Sequence, residues 1–180
     1  MWWVLLGVGA VLVAAILIFN MMIQRRNAVD FAFASVDTHL KKRYDLIPNL
    51  VEVCRGYAEH ERRVLTELTE LRAKALQAAG DEVIRVNGAI SGRLKTALAI
   101  AESYPELKAS AQFDFLSRSL NEVEAQIAAA RRAYNAAVLE FNNGCQMFPT
   151  NIVAAAMGLA VRRMFEITEA ERQPVRISGA

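Results

Sequence analysis

The sequence predicts an all-α protein held at a membrane, with an N-terminal transmembrane helix plus an elongated up-and-down bundle of about four helices. Three observations carry this. Trp2 to Ile23 contains no charged residue, the apolar residues beyond it recur in alternating steps of three and four, and nowhere does an apolar-polar alternation mark a strand. The 54% hydrophobic content agrees, its excess lying at the N-terminus and in alanine, the residue that most favours helix.

A chain of 180 residues leaves, once the membrane segment is set aside, enough for one domain with a real core. Its 21 basic and 19 acidic side chains give a net charge of only +2, too weak a field to draw nucleic acid. Cys54 and Cys145 have neither CxxC nor Cys/His spacing, so packed, reduced thiols are expected in place of a zinc site or disulfide framework.

The anchor, residues 1–23, comes first. Its 22-residue uncharged run, with only Asn20 strongly polar, makes a helix of about 33 Å, the thickness of a bilayer core. Trp2 and Trp3 suit one interface, and Arg25 with Arg26 closes the other end just past Ile23. The run is too long for a signal-peptide core and lacks a basic leader and a small-x-small cleavage site, so it is expected to stay. Every Lys and Arg follows it, which places the N-terminus outside and the bundle in the cytoplasm of a single-pass bacterial inner-membrane protein.

The bundle is expected over residues 24–168. Its clearest stripe is Phe113, Leu116, Leu120, Val123, Ile127, Ala130, Tyr134, Ala137 and Phe141, which predicts a long helix ending at Asn142-Asn143-Gly144. A second stripe runs from Leu50 through Cys54, Tyr57, Val64, Leu68 and Leu71 to Ala78, with Glu61 interrupting it. Upstream, Val29, Phe33, Val36, Leu40 and Ile47 hold the same phase, so residues 24–79 are compatible with one helix continuous with the anchor. Pro48 opposes this, predicting either a kink or a break near Asp45 to Ile47. Gly80 as C-cap and Asp81 as N-cap open a third helix over about 82–102, which Tyr104-Pro105 ends. These seams either close the monomer's own core or pair copies in coiled-coil fashion.

After Phe148-Pro149-Thr150, the ten residues from Ile152 to Val161 are all apolar or glycine, followed by Arg162-Arg163-Met164-Phe165. That is too short to cross a bilayer. A short apolar helix over 150–165 is expected, either packing on the bundle or lying at the interface through Ile152, Leu159, Arg162, Arg163 and Phe165. Residues 169–180 read as a tail.

Chemistry is sparse. His39 and His60 fit no metal-binding motif, and there is no glycine-rich phosphate loop or nucleophile elbow. No catalytic residue, metal, cofactor or small-molecule substrate is therefore expected. Glu61 on the seam needs a partner, and Arg43, also on the seam, is one candidate.

Five segments resemble the LemA family of bacterial membrane proteins and arrive in its order. They are Lys42-Arg43-Tyr44-Asp45-Leu46-Ile47-Pro48-Asn49-Leu50-Val51; Gly56-Tyr57-Ala58-Glu59-His60-Glu61; Tyr104-Pro105-Glu106-Leu107-Lys108-Ala109; Ala130-Arg131-Arg132-Ala133-Tyr134-Asn135 with Phe141-Asn142; and Phe148-Pro149-Thr150-Asn151. The resemblance covers nearly the whole chain. It implies an N-terminal anchor with a short outer leader, a cytoplasmic four-helix-type bundle and no established enzymatic activity. Within it, Arg43, Asp45, Pro48, Asn49, His60, Glu61, Tyr134, Asn135, Asn142 and Pro149 are motif positions without an assigned role. The tail's Pro174-Val175-Arg176-Ile177 approaches the family's Pro-x-Val-x-aromatic ending but lacks the aromatic. The expected function is a membrane-anchored, self-associating, non-catalytic helical scaffold in membrane organisation or assembly. Its partners would be the lipid bilayer, further copies and other membrane proteins. The alternative is an adaptor or regulator of a membrane protease or signalling protein.

Overall fold

The computed structural model describes residues 1–56 and 62–165. Among these it contains only helices: α1 (Trp2–Arg55), α2 (Arg62–Gln77), α3 (Asp81–Glu102), α4 (Pro105–Lys108), α5 (Ala111–Gln146) and α6 (Thr150–Ala156). The all-α class is as expected. Tyr57, His60, Glu61 and the tail from residue 166 onward lie outside the described residues.

The chain divides into two compact units. The first takes Met1–Asp37 and Ala129–Phe165, and the second Thr38–Ala128. In the first unit the uncharged N-terminal residues of α1 stand exposed, and packing begins at Met22. From there α5 runs antiparallel to α1: Gly144 lies against Met22, Arg25 reaches Glu140, and the rings of Phe33 and Tyr134 are 5.7 Å apart. In the second unit α1, α2, α3, α4 and the first half of α5 share a core that includes Ile47, Leu50, Leu68, Ile90, Leu107 and Leu120. The stripe on α5 is buried as its three-four spacing demands, except that Val138 takes the core position expected of Ala137.

Three boundaries differ from the sequence reading, and two alternatives that it left open are decided. Pro48 does not break α1, which continues to Arg55. Proline removes the hydrogen bond that residue 48 would make to the carbonyl of residue 44, and the Arg72 side chain of α2 supplies a replacement, donating from Nε to the Tyr44 carbonyl at 2.7 Å. Residues 24–79 are not one helix, since α1 ends at Arg55 and α2 comes back along it. Leu65 of α2 lines the same small apolar hollow as Cys54 of α1, so each stripe buries the other.

Gly80, not Asp81, is the N-cap of α3; its φ of +58° explains the glycine, and Asp81 is the first helical residue. α5 runs past Asn142-Asn143-Gly144 to Gln146. Gly144 serves as a notch in that helix: a Cβ there would lie 2.7 Å from Met22 Sδ and 2.9 Å from Arg25 Nη1. The apolar helix expected over 150–165 stops at Ala156. Gly158 at φ +65° ends it with both hydrogen bonds of a Schellman motif, Gly158 N–H to the Ala155 carbonyl and Leu159 N–H to that of Ala154, each 3.0 Å. Residues 161–165 then continue without helix.

Candidate functional site

Two polar assemblies stand out, one in each unit, and each is centred on family-motif positions, Arg43 in one and Asn135 with Asn142 in the other. In the second unit Arg43 of α1 is 0% exposed. A bare guanidinium at such a place would be very costly, so its surroundings must neutralise and bond it. Glu124 Oε1 of α5 lies 2.7 Å from Nη1, and Ser91 Oγ of α3 accepts from the same nitrogen at 2.8 Å. Nη2 donates to Asn87 through its side-chain and backbone oxygens. Asn87 is fixed in turn by Tyr44, whose hydroxyl donates to Oδ1 at 2.7 Å, and by its own Nδ2 bond to the Val83 carbonyl. Ser91 then donates to Glu124 Oε2 at 3.2 Å.

Three helices thus meet on one cation. The Glu124 side chain remains about one-third exposed, so the ion pair borders solvent at its acidic end. Glu61, the partner considered from sequence, lies outside the described residues, and the carboxylate on Arg43 is Glu124. Asp45, Pro48 and Asn49 are exposed on the same stretch of α1.

In the first unit Asn135 and Asn142 hold the C-terminal strap. They are seven residues apart on α5, two turns or about 10.5 Å, which matches the roughly 10 Å covered by three extended residues from 162 to 165. Asn142 donates from Nδ2 to the Arg162 carbonyl at 2.9 Å and accepts the Arg162 N–H at 2.8 Å. Asn135 does the same for Phe165, at 2.9 and 2.8 Å. Between them the Tyr134 hydroxyl donates to the Arg163 carbonyl at 3.2 Å. Each amide satisfies both a donor and an acceptor of the backbone, as a strand neighbour would.

The strap's side chains lock in as well. Phe165 is buried edge-on against Tyr134 with ring centres 5.1 Å apart, under the Arg131 guanidinium. Arg162 lies over Phe141 and pairs with Asp30 at 2.5 Å. Phe165 and Arg162 both take part in packing, one of the two roles that the sequence left open for this segment. Leu159 is half-buried and Arg163 exposed; Ile152 on α6 is exposed, and Pro149 caps that helix.

At the start of α1, Trp2 and Trp3 are exposed and Ile23 is half-buried. Arg25 donates to the Glu140 carbonyl at 2.9 Å, and Arg26 lies 3.9 Å from Asp30. Sequence reasoning missed Arg72, Asn87, Ser91 and Glu124. Asn87 and Ser91 are four apart on α3, among its apolar positions, and that spacing was the available sign. Among the described residues no group of three His, Cys, Asp or Glu side chains could hold a metal ion. The Arg43 cluster spends both terminal guanidinium nitrogens on its own oxygens and leaves Nε buried without a hydrogen-bond partner.

Comparison with known proteins adds to this geometry. The LemA family profile matches residues 32–178, which include both assemblies. The chain is similar to protein LemA of Metamycoplasma hominis, with 27% identity over 88% of this chain and 74% of that one. It is also similar to magnetosome protein MamQ 2 of Paramagnetospirillum magneticum, with 20% identity over 94% and 72%. Magnetosome protein MamQ of Magnetospirillum gryphiswaldense is 20% identical over 79% of this chain and 62% of its own length.

Proposed function

The chain belongs to the LemA family, and from that we propose that this membrane-associated protein is a non-catalytic helical scaffold, anchored by residues 2–23, that self-associates to organise or assemble membrane. The observation that carries the reading is the continuity of α1. One helix contains an exposed apolar stretch long enough to cross a bilayer and continues, with no intervening loop, into the residues around which both units pack. A domain attached in that way is positioned by its anchor and is suited to holding other molecules in register with the membrane.

Arg25, Arg26, Lys41, Lys42 and Arg43 follow the span closely, which supports a single-pass arrangement in the bacterial inner membrane with the bundle in the cytoplasm. Size measurement of the full chain in mild detergent tests self-association. The expected species is several times the 19.9 kDa of one copy. A monomer that co-purifies with one other membrane protein would overturn self-association and favour an adaptor. A C-terminal reporter active only outside the cytoplasm would overturn the orientation.

A further inference from the structure

The stretch between α5 and the strap carries no charge, and its place in the first unit is fixed by the anchor itself. From Phe141 to Val161 there is no Asp, Glu, Lys, Arg or His; Glu140 precedes this run and Arg162-Arg163 follow it. The antiparallel pairs Phe33–Tyr134, Arg25–Glu140 and Met22–Gly144 set the axial register of α5 against α1. Two antiparallel helices rise equally per residue, so Gln146 lies level with about residue 20 of α1, inside the apolar span. The Asn142 bond returns the chain to the level of Arg25 at Arg162. The segment from Met147 to Val161 thus leaves α5 at a level inside the apolar span and returns at the level of the arginines.

That loop presents its apolar side chains outward. Phe148 is 79% exposed, Met147 and Ile152 61% each, and Val161 55%. A patch of this kind on a soluble surface marks something that covers it. Part of its backbone is also paired internally. The N–H groups of Met147, Asn151, Ile152, Met157, Gly158 and Leu159 all donate to carbonyls of this stretch or of Asn143.

We propose that residues 147–161, with α6 at their centre, form a re-entrant element that enters one leaflet beside the span, with Arg25, Arg26 and Arg163 at the level of the lipid phosphates. The inference rests on the reading that residues 2–23 cross the bilayer. The occupant of the patch is the acyl region of the leaflet in which that span ends. The entry depth is about 6 Å or more, the rise from Asn142 to Gln146 along α5. Unlike a surface-lying helix, the element is tied at both ends, by Gly144 on Met22 and by Asn142 on the strap.

The test uses the full chain in vesicles of phosphatidylcholine and phosphatidylglycerol. Spin labels go one at a time on Leu12→Cys, Phe148→Cys, Ile152→Cys and Phe115→Cys, in a Cys54→Ala, Cys145→Ala background. Collision with oxygen, which partitions into lipid, is compared with collision with a water-soluble nickel chelate. Labels at 12, 148 and 152 are expected to favour oxygen, with 12 deepest, and the label at 115 to favour nickel. Labels at 148 and 152 that favour nickel while 12 favours oxygen would overturn the re-entrant element and leave the span intact. All four favouring nickel would overturn both. Labels at 148 and 152 shielded from both reagents would mean a protein covers the patch, which also overturns the inference. Tryptophan placed at 148 or 152 on a Trp2→Phe, Trp3→Phe background, with both cysteines in place, gives an independent reading; quenching by brominated acyl chains is expected, and its absence would overturn the proposal.

Discussion

Arg72 donates from Nε to the carbonyl oxygen of Tyr44 at 2.7 Å, and that carbonyl is the one Pro48 cannot serve. A proline that would otherwise weaken α1 thereby becomes the point at which α2 is fastened to it. The consequence is a coupling between two residues that are not bonded to each other. Arg72→Ala should cost about 1.5–3 kcal/mol, the range for a hydrogen bond involving a charged group. In a Pro48→Ala background, where residue 48 has its own N–H, the same change should cost distinctly less. Denaturation of all four variants in detergent gives the coupling, and equal costs would reject it.

Arg43 should be intolerant of every replacement that keeps Glu124, Asn87 and Ser91 in place. Arg43→Lys preserves charge but not the fork that reaches three acceptors at once, and should cost about 3 kcal/mol. Glu124→Gln, at a border partly open to solvent, should cost less, about 1–2 kcal/mol. Thermal unfolding that ranks the two the other way would contradict a cation buried deeper than its partner.

The strap depends on two amides. Asn135→Ala with Asn142→Ala removes four backbone hydrogen bonds and should free residues 162–165 without unfolding the helices. Trypsin cleavage after Arg162 or Arg163 should accelerate by about tenfold or more, equivalent to at least about 1.4 kcal/mol of lost protection. Unchanged cleavage with unchanged helicity would show that Phe165 and Arg162 suffice to hold the strap.

Gly144 should accept alanine better than any larger residue. A Cβ meets the flexible end of Met22, and alanine brings about 1 kcal/mol of helix propensity to offset that crowding. Gly144→Leu should cost roughly 2–3 kcal/mol by overpacking, and Met22→Ala should recover much of it. Chemical denaturation of the single and double variants checks the compensation.

Burial pushes the Cys54 thiol up from 9.0 to about 11. Between these values the unfolded chain loses the proton while the folded chain keeps it, so the unfolded state binds fewer protons and stability falls as pH rises. The contribution is intact below pH 9 and is lost towards pH 11, amounting to about 2–3 kcal/mol. Cys54→Ala should flatten that part of the stability profile measured from pH 8 to 11.5.

The helices were legible wherever one physical demand set the pattern. The stripe from Phe113 to Phe141 had to face a core, and it does. The ends were less legible because they depend on partners distant in sequence. Pro48 reads as a breaker until Arg72 is known to replace the missing bond, and Asn142-Asn143-Gly144 reads as a stop until Met22 is seen to need the notch. The seam position of Arg43 announced a buried cation, but its partners came from α3 and α5, and only the spacing of Asn87 and Ser91 hinted at them. Asn135 and Asn142 stood out as motif positions. Their role became clear only with the extended backbone beside them, whose sequence had suggested more helix.

With residues 2–23 crossing a bilayer as proposed, the single helix from the span into its packed stretch would convert the thickness of that bilayer into an angle. A span that leans to fit a thinner membrane carries its continuation with it: from Ile23 to Asp37 is about 21 Å, so a change of roughly 10° moves Asp37 sideways by about 4 Å. Lipid composition would then act on the first unit as a lever, with no ligand involved.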